Sequence, residues 1–279
     1  MSTAGQIEFL RITDPHDLRI SEFSNIRERD LTGRDNRFIA EGTVVLRMLA
    51  RAHARAGDFV AEKILLLENR VAGLAETLSE LSADIPVYVA DSAVLDAIAG
   101  FHLHRGVLAL GRRRCQRNAA DLLKSLPQTS LVVAACGIAN HDNIGSIFRN
   151  AAAFGADAII LDETCCDPLY RKALRVSVGA VLKVPYTRGG AIDDNLALLV
   201  EHGYDVWALS PSGSTEMRNI APAARVALAA GAEGNGLPSA TLRRFQAARI
   251  AQAPGFDSLN VATATGIALY EIASAQGRI

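Results

Sequence analysis

The chain has 279 residues, with 29 Lys and Arg against 30 Asp and Glu, so its formal net charge is −1. Hydrophobic residues make up 49% of the chain and charged residues 21%, a globular composition that excludes wholesale disorder. The near-neutral charge also excludes a protein that holds polyanions by bulk charge. Any contact with nucleic acid must therefore come from a local basic patch.

The N-terminal segment and the cysteines predict a cytoplasmic protein. The first residues, MSTAGQIEFLRITDPHD, lack a basic region followed by an apolar one, and no stretch approaches the ~18 apolar residues of a membrane span. The four cysteines form no CxxC pair and have no His at zinc-ligand spacing. We therefore expect reduced thiols that serve in packing, and no metal site. They are Cys115, Cys136, Cys165 and Cys166.

Residues 1–115 are expected to form a small α/β domain. Runs of aliphatic residues predict buried strands, and apolar residues at helical spacing between them predict helices. The expected strands are Phe59–Leu67, 85–90 and 106–110, and the expected helices are 41–56, 71–81 and Ser92–Ala99. Asp91 or Ser92 is expected to cap the last of these helices.

Residues 116–128 are expected to link this domain to a second one, 129–279. The segment 112–127 is polar and basic at first and then allows a short helix that ends at Pro127. Beyond it, strand and helix patterns alternate, which predicts a mostly parallel sheet covered by helices. The expected strands are 130–136, Ala158–Leu161, 180–184, 206–209, Arg225–Ala230 and 249–251, and the expected helices are 144–154, 168–176, 191–202, 239–245 and 258–275.

Ligands of such sheets bind beyond the carboxyl ends of the strands. The loops of interest follow Cys136, Leu209, Ala230 and Ala251. The first leads into NHDNIGSIFRNAAAFG at 140–155, where Asn143 is either a helix N-cap or a functional group. Arg149 lies among apolar residues that predict a buried helix, in which its five donors need a salt bridge, a phosphate or a developing oxyanion.

The second loop, ALAAGAEGNGLP at 227–238, spaces its glycines as G-x-x-G-x-G. This is not the dinucleotide fingerprint, and the loop lacks the Lys of a phosphate-binding P-loop. Glu233 within the turn would repel a phosphate. The loop is therefore either a tight structural turn or the site of a ligand that is cationic or donates hydrogen bonds.

The third loop begins IAQAPGFDSLNVATATGIALYE at 250–271. Ser258 is a candidate N-cap for the final helix. Asn260 is poorly suited to a helix interior, so we expect it to bond something specific. The small residues 262–266 predict close packing against another element.

Together the three motifs resemble the SpoU (TrmH) family of RNA ribose 2′-O-methyltransferases, within the SPOUT superfamily. They read NIGxIxRNAxxFG, GAEGxGL and SLNVAxAxGIALYE, in family order, and the resemblance covers about residues 130–275. A weaker match extends to the family's N-terminal substrate-binding domain, through RFIAEG at 37–42 and HRGVLA at 104–109.

The resemblance implies a C-terminal domain with a deep trefoil knot, S-adenosylmethionine as cofactor, structured RNA as partner and a homodimer formed through knot-side helices. Its implied cofactor-binding positions are Leu209, Gly231, Ile250 and Leu259, with Leu209 bordering the adenine site. Its implied active-site positions are Asn143, Arg149, Glu233, Ser258 and Asn260. One departure concerns the third motif, in which Ile250-Ala251-Gln252 replaces the usual Ile-Pro-Met.

The implied reaction is attack of a ribose 2′-oxygen on the cofactor's methyl group. Because a free guanidinium has a pKa above ~12, we expect Arg149 to act by electrostatic stabilisation, with the RNA phosphate as proton acceptor. Asn143 would orient Arg149 or the ribose, and Glu233 would anchor the glycine turn. Ser258 and Asn260 would hold the nucleotide.

Two arginine clusters are candidates for RNA contact. The first consists of Arg27, Arg29, Arg34 and Arg37, and its interleaved carboxylates also allow a salt-bridged surface. The second, Arg105, Arg112, Arg113, Arg114 and Arg117, is less diluted. The extra N-terminal domain favours ribosomal over transfer RNA.

Two alternatives stand beside the enzyme. A non-catalytic, RNA-binding ribosome-assembly factor with the knotted fold would bind RNA without turning over cofactor, and the complete set of polar site residues argues against it. A nicotinamide-dependent oxidoreductase is disfavoured because no G-x-G-x-x-G follows an early strand.

Overall fold

The computed structural model describes residues 8–24, 31–33, 36–99, 105–221, 223–255 and 257–279. The chain forms two compact units. One runs to Gln116 and includes Leu169–Lys183, and the other contains Arg117–Pro168 and Val184–Ile279. The predicted division at 115–129 placed Leu169–Lys183 in the second domain, whereas this segment packs in the first unit. Of the first arginine cluster, Arg27, Arg29 and Arg34 lie outside the described residues.

The first unit is built on a mixed five-stranded sheet in the order β1-β4-β3-β5-β2. β1 and β3 lie parallel to β4, whereas β5 runs antiparallel to both β3 and β2. The strands are β1 (Phe9–Arg11), β2 (Arg37–Glu41), β3 (Phe59–Leu67), β4 (Val87–Ala90) and β5 (Val107–Arg113). The helices are α1 (Thr43–Ala54), α2 (Val71–Ser79) and α3 (Ser92–Ala99).

The long strands and helices of this unit confirm the sequence prediction. β3 has the predicted bounds because its nine residues, most of them aliphatic, form the central strand of the sheet. Asp91 accepts a hydrogen bond from the Val94 amide at 2.9 Å, as expected of the cap of α3. β1 and β2 were not predicted. They are short strands at the two edges of the sheet, where the sequence pattern is weakest.

The second unit contains a seven-stranded sheet in the order β10-β12-β9-β11-β6-β7-β8, and all its strand pairs are parallel. This confirms the predicted parallel sheet. The strands are β6 (Ser130–Ala135), β7 (Ala158–Leu161), β8 (Tyr186–Arg188), β9 (Asp205–Leu209), β10 (Thr215–Glu216), β11 (Arg225–Ala230) and β12 (Gln246–Arg249). The helices are α4 (Ala119–Lys124), α5 (His141–Ala153), α6 (Arg171–Val176), α7 (Ile192–Glu201), α8 (Ser239–Arg244) and α9 (Val261–Ala275), of which α6 packs in the first unit.

Two strand predictions in this half were wrong. The run predicted as a strand at 180–184 is a buried 3₁₀ turn, Ala180–Leu182, and the strand follows at β8. Val178 and Gly179 precede the turn with left-handed φ of 48° and 80°, and the Leu182 amide donates to the Gly179 carbonyl at 2.9 Å, which closes the turn. The strand predicted at 249–251 ends at Arg249, because the loop that forms the site begins there.

The core of the second unit lies between the sheet and its helices. Strands β6, β7, β9 and β11 contribute buried residues such as Val132, Ile160 and Ala208, and helix α7 covers them with Leu196 and Leu199. No helix in the described ranges has the length and hydropathy to cross a bilayer. This central packing holds the carboxyl ends of β9, β11 and β12 side by side, where the predicted site residues lie.

Candidate active site

A cavity of about 470 Å³ lies at the carboxyl ends of β9, β11 and β12. Three separate segments line it: the end of β9, the glycine loop after β11, and the segment from Ile250 to the start of α9. Seven of the nine predicted site residues are among its lining residues. They are Leu209, Gly231, Glu233, Ile250, Ser258, Leu259 and Asn260.

The glycine loop is closed on itself and leaves no room at Gly231. The Gly236 amide donates to the Ala232 carbonyl at 2.9 Å, and Gly234 and Gly236 adopt φ of 82° and 65°. A Cβ atom added at Gly231 would overlap the backbone of Gly236 and Leu237. The predicted tight turn is therefore present, and the same turn forms one wall of the cavity.

Asn260 ties the three motifs together. It is the N-cap of α9, and its Oδ1 accepts hydrogen bonds from the Ala262 and Thr263 amides at 2.9 and 3.3 Å. Its Nδ2 donates to Asn143 Oδ1 on α5 and to Glu233 Oε1 in the glycine loop, both at 3.0 Å. The expectation that Asn260 bonds something specific is confirmed. The expectation that Ser258 caps the final helix is wrong, because Asn260 holds that position.

Asn143 is not the N-cap of α5. That position belongs to Asn140, which accepts from the Asp142 amide at 2.8 Å, so Asn143 falls in the first turn and is 5% exposed. Since Asn260 turns its oxygen to the backbone amides, its Nδ2 must face an acceptor, which orients the Asn143 amide with Oδ1 toward it. The Nδ2 of Asn143 is then a buried donor without a partner among the described residues. Such a group favours a ligand that accepts a hydrogen bond.

Arg149 departs from the prediction. The apolar side of α5 is buried, with Ile144, Ile147 and Phe148 fully enclosed, but Arg149 itself is exposed. The expectation that a buried helix forces a partner on this guanidinium is therefore wrong. Six residues separate it from Asn143, which places the two side chains on different sides of the helix. Arg149 is not among the residues that line the cavity of its own chain.

Gln252 is a lining residue that the sequence flagged only as a departure from the family pattern. Its Oε1 is buried and has no hydrogen-bond partner among the described residues. Ser210 and Asn235 also line the cavity and were not predicted. Their only signal in the sequence is that they lie in the loops after β9 and β11.

A carboxylate and two thiols shape the neighbouring loop after β6. Asp162 accepts hydrogen bonds from the Gly137 amide at 3.1 Å and from the Thr164 hydroxyl at 2.9 Å. Burial works to raise the pKa of Asp162, but these hydrogen bonds outweigh it and hold the pKa below its usual range. Burial, with the hydrogen bond and charge of Asp162, raises the pKa of both Cys136 and Cys165 to about 12. These thiols pack the loop, as predicted, and are poor nucleophiles.

The described cysteines are all free, which confirms the expectation of unpaired thiols. No group of three or more His, Cys, Asp or Glu side chains in the described ranges is arranged to hold a metal ion.

Comparison with known proteins decides the family. A family model described as the SpoU rRNA Methylase family matches residues 130–270. A tRNA/rRNA methyltransferase of Mycobacterium bovis is 38% identical over 270 residues, 93% of this chain and 90% of the relative. The chain belongs to the SpoU rRNA methylase family. The resemblance inferred from the three motifs is thereby confirmed.

Other SpoU relatives agree with this assignment. The 23S rRNA (guanosine-2′-O-)-methyltransferase of Escherichia coli is 29% identical over 196 residues, 68% of this chain and 79% of the relative. The AdoMet-bound rRNA methyltransferase from Sinorhizobium meliloti superposes with a TM-score of 0.80 at 26% identity, covering 97% of this chain and 98% of that one. All nine predicted site residues fall within the segment matched by the SpoU model.

Proposed function

We propose that the protein is an S-adenosylmethionine-dependent methyltransferase that acts on a ribose 2′-hydroxyl of RNA. The observation that carries this proposal is the Asn143–Asn260–Glu233 network at the mouth of the cavity. It brings one polar group from each of the three motifs to a single point. An assembly of this kind positions a substrate, and a tight structural turn alone would not need it.

The cavity fits the cofactor in size and in chemistry. Small-molecule sites are typically 300–1,000 Å³, mostly apolar, with a few polar groups that fix orientation. Here Leu209, Ile250 and Leu259 supply apolar walls, and Gly231 lets the glycine loop close tightly against Gly236 and Leu237 to complete the wall. Glu233 supplies a negative charge at the rim, which suits a cationic ligand. Such a ligand was one of the two alternatives that the sequence allowed for the glycine loop.

When bound, S-adenosylmethionine supplies a methyl group made electrophilic by its sulfonium. The chain must then hold a ribose oxygen about 3–3.5 Å from that methyl and remove its proton. Asn143 Nδ2, buried and unpaired within the described chain, is oriented to donate a hydrogen bond to the nucleotide. Ser258 and Asn260, which are exposed at the rim, hold the nucleotide, and Glu233 keeps the Asn260 amide in place.

Arg149 stabilises the negative charge that develops on the ribose oxygen, while the adjoining RNA phosphate accepts the proton. We propose that it does so in a homodimer. A shallow groove between α5 and α9 is lined by Ser146, Asn150, Asn260 and Tyr270, and Tyr270 is 51% exposed. Arg149 lies three residues after Ser146 and so flanks this groove. In a two-fold pair that buries the groove against its own copy, Arg149 of one copy approaches the Asn260 end of the other.

The substrate we propose is structured RNA, ribosomal rather than transfer RNA. Its support is that the relatives from Escherichia coli and Sinorhizobium meliloti are rRNA methyltransferases. We further propose that residues 129–279 are threaded as a trefoil knot, that the N-terminal domain binds RNA, and that the protein is cytoplasmic. The fold shared with the Sinorhizobium meliloti enzyme along almost the whole chain supports the first two.

The test is a comparison of 2′-O-methyl sites in total RNA from cells with and without the gene. We expect one site, or a small set, to disappear on deletion and to return when purified protein and S-adenosylmethionine are added to the unmethylated RNA. An unchanged methylation map, together with RNA binding but no methyl transfer in vitro, would reject the enzyme and favour the ribosome-assembly factor.

A further inference from the structure

Three arginines of the two predicted RNA-contact clusters are engaged within the first unit. Glu62 stands at a register shift in β3 and accepts from Arg37 Nε at 2.7 Å and from Arg112 Nε at 2.5 Å. Arg113 is only 9% exposed and bonds Gln116. One carboxylate thus bridges two of the predicted arginines, and a third is buried, which directs attention to other cations of this unit.

Helix α1 presents such cations in a regular row. Arg47, Arg51 and Arg55 lie four residues apart, with Arg55 as the C-cap, and all three are exposed. Four residues of helix advance about 6 Å, so the row places one cation per turn along one face. Within the described residues none of the three forms an ion pair, and the helix sequence TVVLRMLARAHA contains no acidic residue. We call these three residues the α1 arginine row.

Helix energetics account for only part of this row. Cations in the last turn stabilise a helix through its dipole, and this effect explains Arg51 and Arg55. Arg47 lies in the middle of the helix and does not. The opposite face packs Val45, Leu46 and Leu49 into the core, so the row lies entirely on the solvent side.

The surface beside the row is apolar and strained. Val44, one turn before Arg47 and Met48, is 49% exposed. Gly179 is packed so closely on Met48 that an added Cβ would lie 2.8 Å from its side chain. Val178, the preceding residue, is 39% exposed and adopts a φ of 48°, which is unfavourable for a β-branched side chain. Strained backbone of this kind clusters at binding surfaces.

The acidic residue of β2, Glu41, does not pair with the α1 arginine row. Glu41 is 5% exposed and is paired with Arg175 of α6 at 3.5 Å. Its charge is therefore buried and engaged by another cation. A row of exposed guanidiniums without carboxylate partners complements the evenly spaced charges of a nucleic-acid backbone.

We propose that the α1 arginine row binds the phosphate backbone of the substrate RNA. This proposal rests on the proposed function, since it takes RNA to be the substrate. The row contacts phosphates, so it contributes affinity and orientation and not base recognition. The site that it defines lies wholly in the first unit and is separate from the groups of the cavity.

The test measures binding of deproteinised 23S ribosomal RNA as a function of salt, with methyl transfer from labelled S-adenosylmethionine assayed separately. The slope of log affinity against log salt is negative. The triple variant R47Q/R51Q/R55Q should reduce its absolute value by about 2 to 3, and each single variant should reduce it by about 0.7–0.9. R47K/R51K/R55K keeps the charges and should keep the slope.

The matched control is R11Q/R19Q/R218Q. It removes the same net charge from exposed arginines that are already paired with Glu68, Asp17 and Glu216. The control should leave the slope nearly unchanged. An unchanged slope in the row variant overturns the proposal, and so does an equal fall in both triple variants.

Melting temperatures identify any variant that fails to fold, and the single variants then carry the test. Failure of the proposed function is distinguishable from failure of this proposal. Wild-type protein that binds RNA with a steep slope but transfers no methyl group contradicts only the function. An active enzyme whose salt slope is the same with and without the α1 arginine row contradicts only the proposal about the row.

Discussion

Asn143 and Asn260 are 117 residues apart in the chain, and their side-chain amides are joined by a hydrogen bond of 3.0 Å from Nδ2 of Asn260 to Oδ1 of Asn143. The bond connects the first turn of α5 to the cap of α9 and leaves the Asn143 donor free within the described chain. Because the Asn260 amide also bonds Glu233, one side chain both starts a helix and organises the site.

These two duties of Asn260 are separable. Asn260→Ser retains a good N-cap but is too short to reach Asn143 and Glu233, so it should keep the melting temperature near wild type while methyl transfer falls about 100-fold. Asn260→Ala should lose activity equally and also about 0.5–2 kcal/mol of stability. Calorimetry and labelled methyl transfer measure the two effects. Full activity of the Ser variant would contradict the role of the network.

Arg149→Ala should lower methyl transfer at least ~100-fold, because it removes the charge that stabilises the developing alkoxide. Cofactor binding should be unchanged, since Arg149 does not line the cavity of its own chain. The melting temperature should also be unchanged, since the side chain is exposed. Calorimetry with S-adenosylmethionine and single-turnover assays give the three readouts, and near-normal turnover would reject the role.

The same variant tests the proposed dimer. Copies that carry Arg149→Ala and copies that carry Asn260→Ser are each expected to be inactive alone. Mixed and allowed to exchange, they should regain up to about a quarter of wild-type activity, because half of the pairs are mixed and each mixed pair contains one intact composite site. No recovery in a mixture shown by mass to contain mixed pairs would place Arg149 at the site of its own copy.

Gly231→Ala should abolish cofactor binding and destabilise the second unit, because the new Cβ overlaps the backbone at Gly236 and Leu237. Gly73→Ala is the matched control. Gly73 lies in α2 with nothing within 4 Å of its added Cβ, so the same substitution should stabilise the protein by about 0.5–1 kcal/mol. Titration calorimetry and thermal unfolding are the measurements. Normal cofactor affinity in Gly231→Ala would show that cofactor binding does not depend on the close packing of Gly231 against Gly236 and Leu237.

Alkylation of the thiols at pH 8 should be selective. Cys115 is exposed and should react, whereas Cys136 and Cys165 should be protected, because their pKa of about 12 leaves almost no thiolate. Cys166, with its pKa raised to about 11 by burial, should also react slowly. Mass spectrometry counts the labels, and unfolding in urea should make all four accessible. Rapid labelling of Cys136 in the native protein would contradict the packing of that loop.

Prediction from sequence was most accurate where local patterning and long-range packing agree. The strands β3 and β11 have their predicted bounds, because both are rich in aliphatic residues and lie in the interior of a sheet, where most of their side chains are buried. The 3₁₀ turn at Ala180–Leu182 was missed because a buried turn has the same composition as a buried strand. The turn is closed by a hydrogen bond from the Leu182 amide to the Gly179 carbonyl, and no apolar pattern predicts such a bond.

The amino-acid sequence by itself determined the family, the parallel sheet and the identity of the polar residues in the three motifs, because these follow from composition, periodicity and the order of short motifs. Only the tertiary structure decided which side chains meet. Asn260, not Ser258, caps α9, and Asn143 faces inward while Arg149 faces solvent. Such facts depend on how helices are rotated against a sheet, which is set by close packing among residues far apart in the chain.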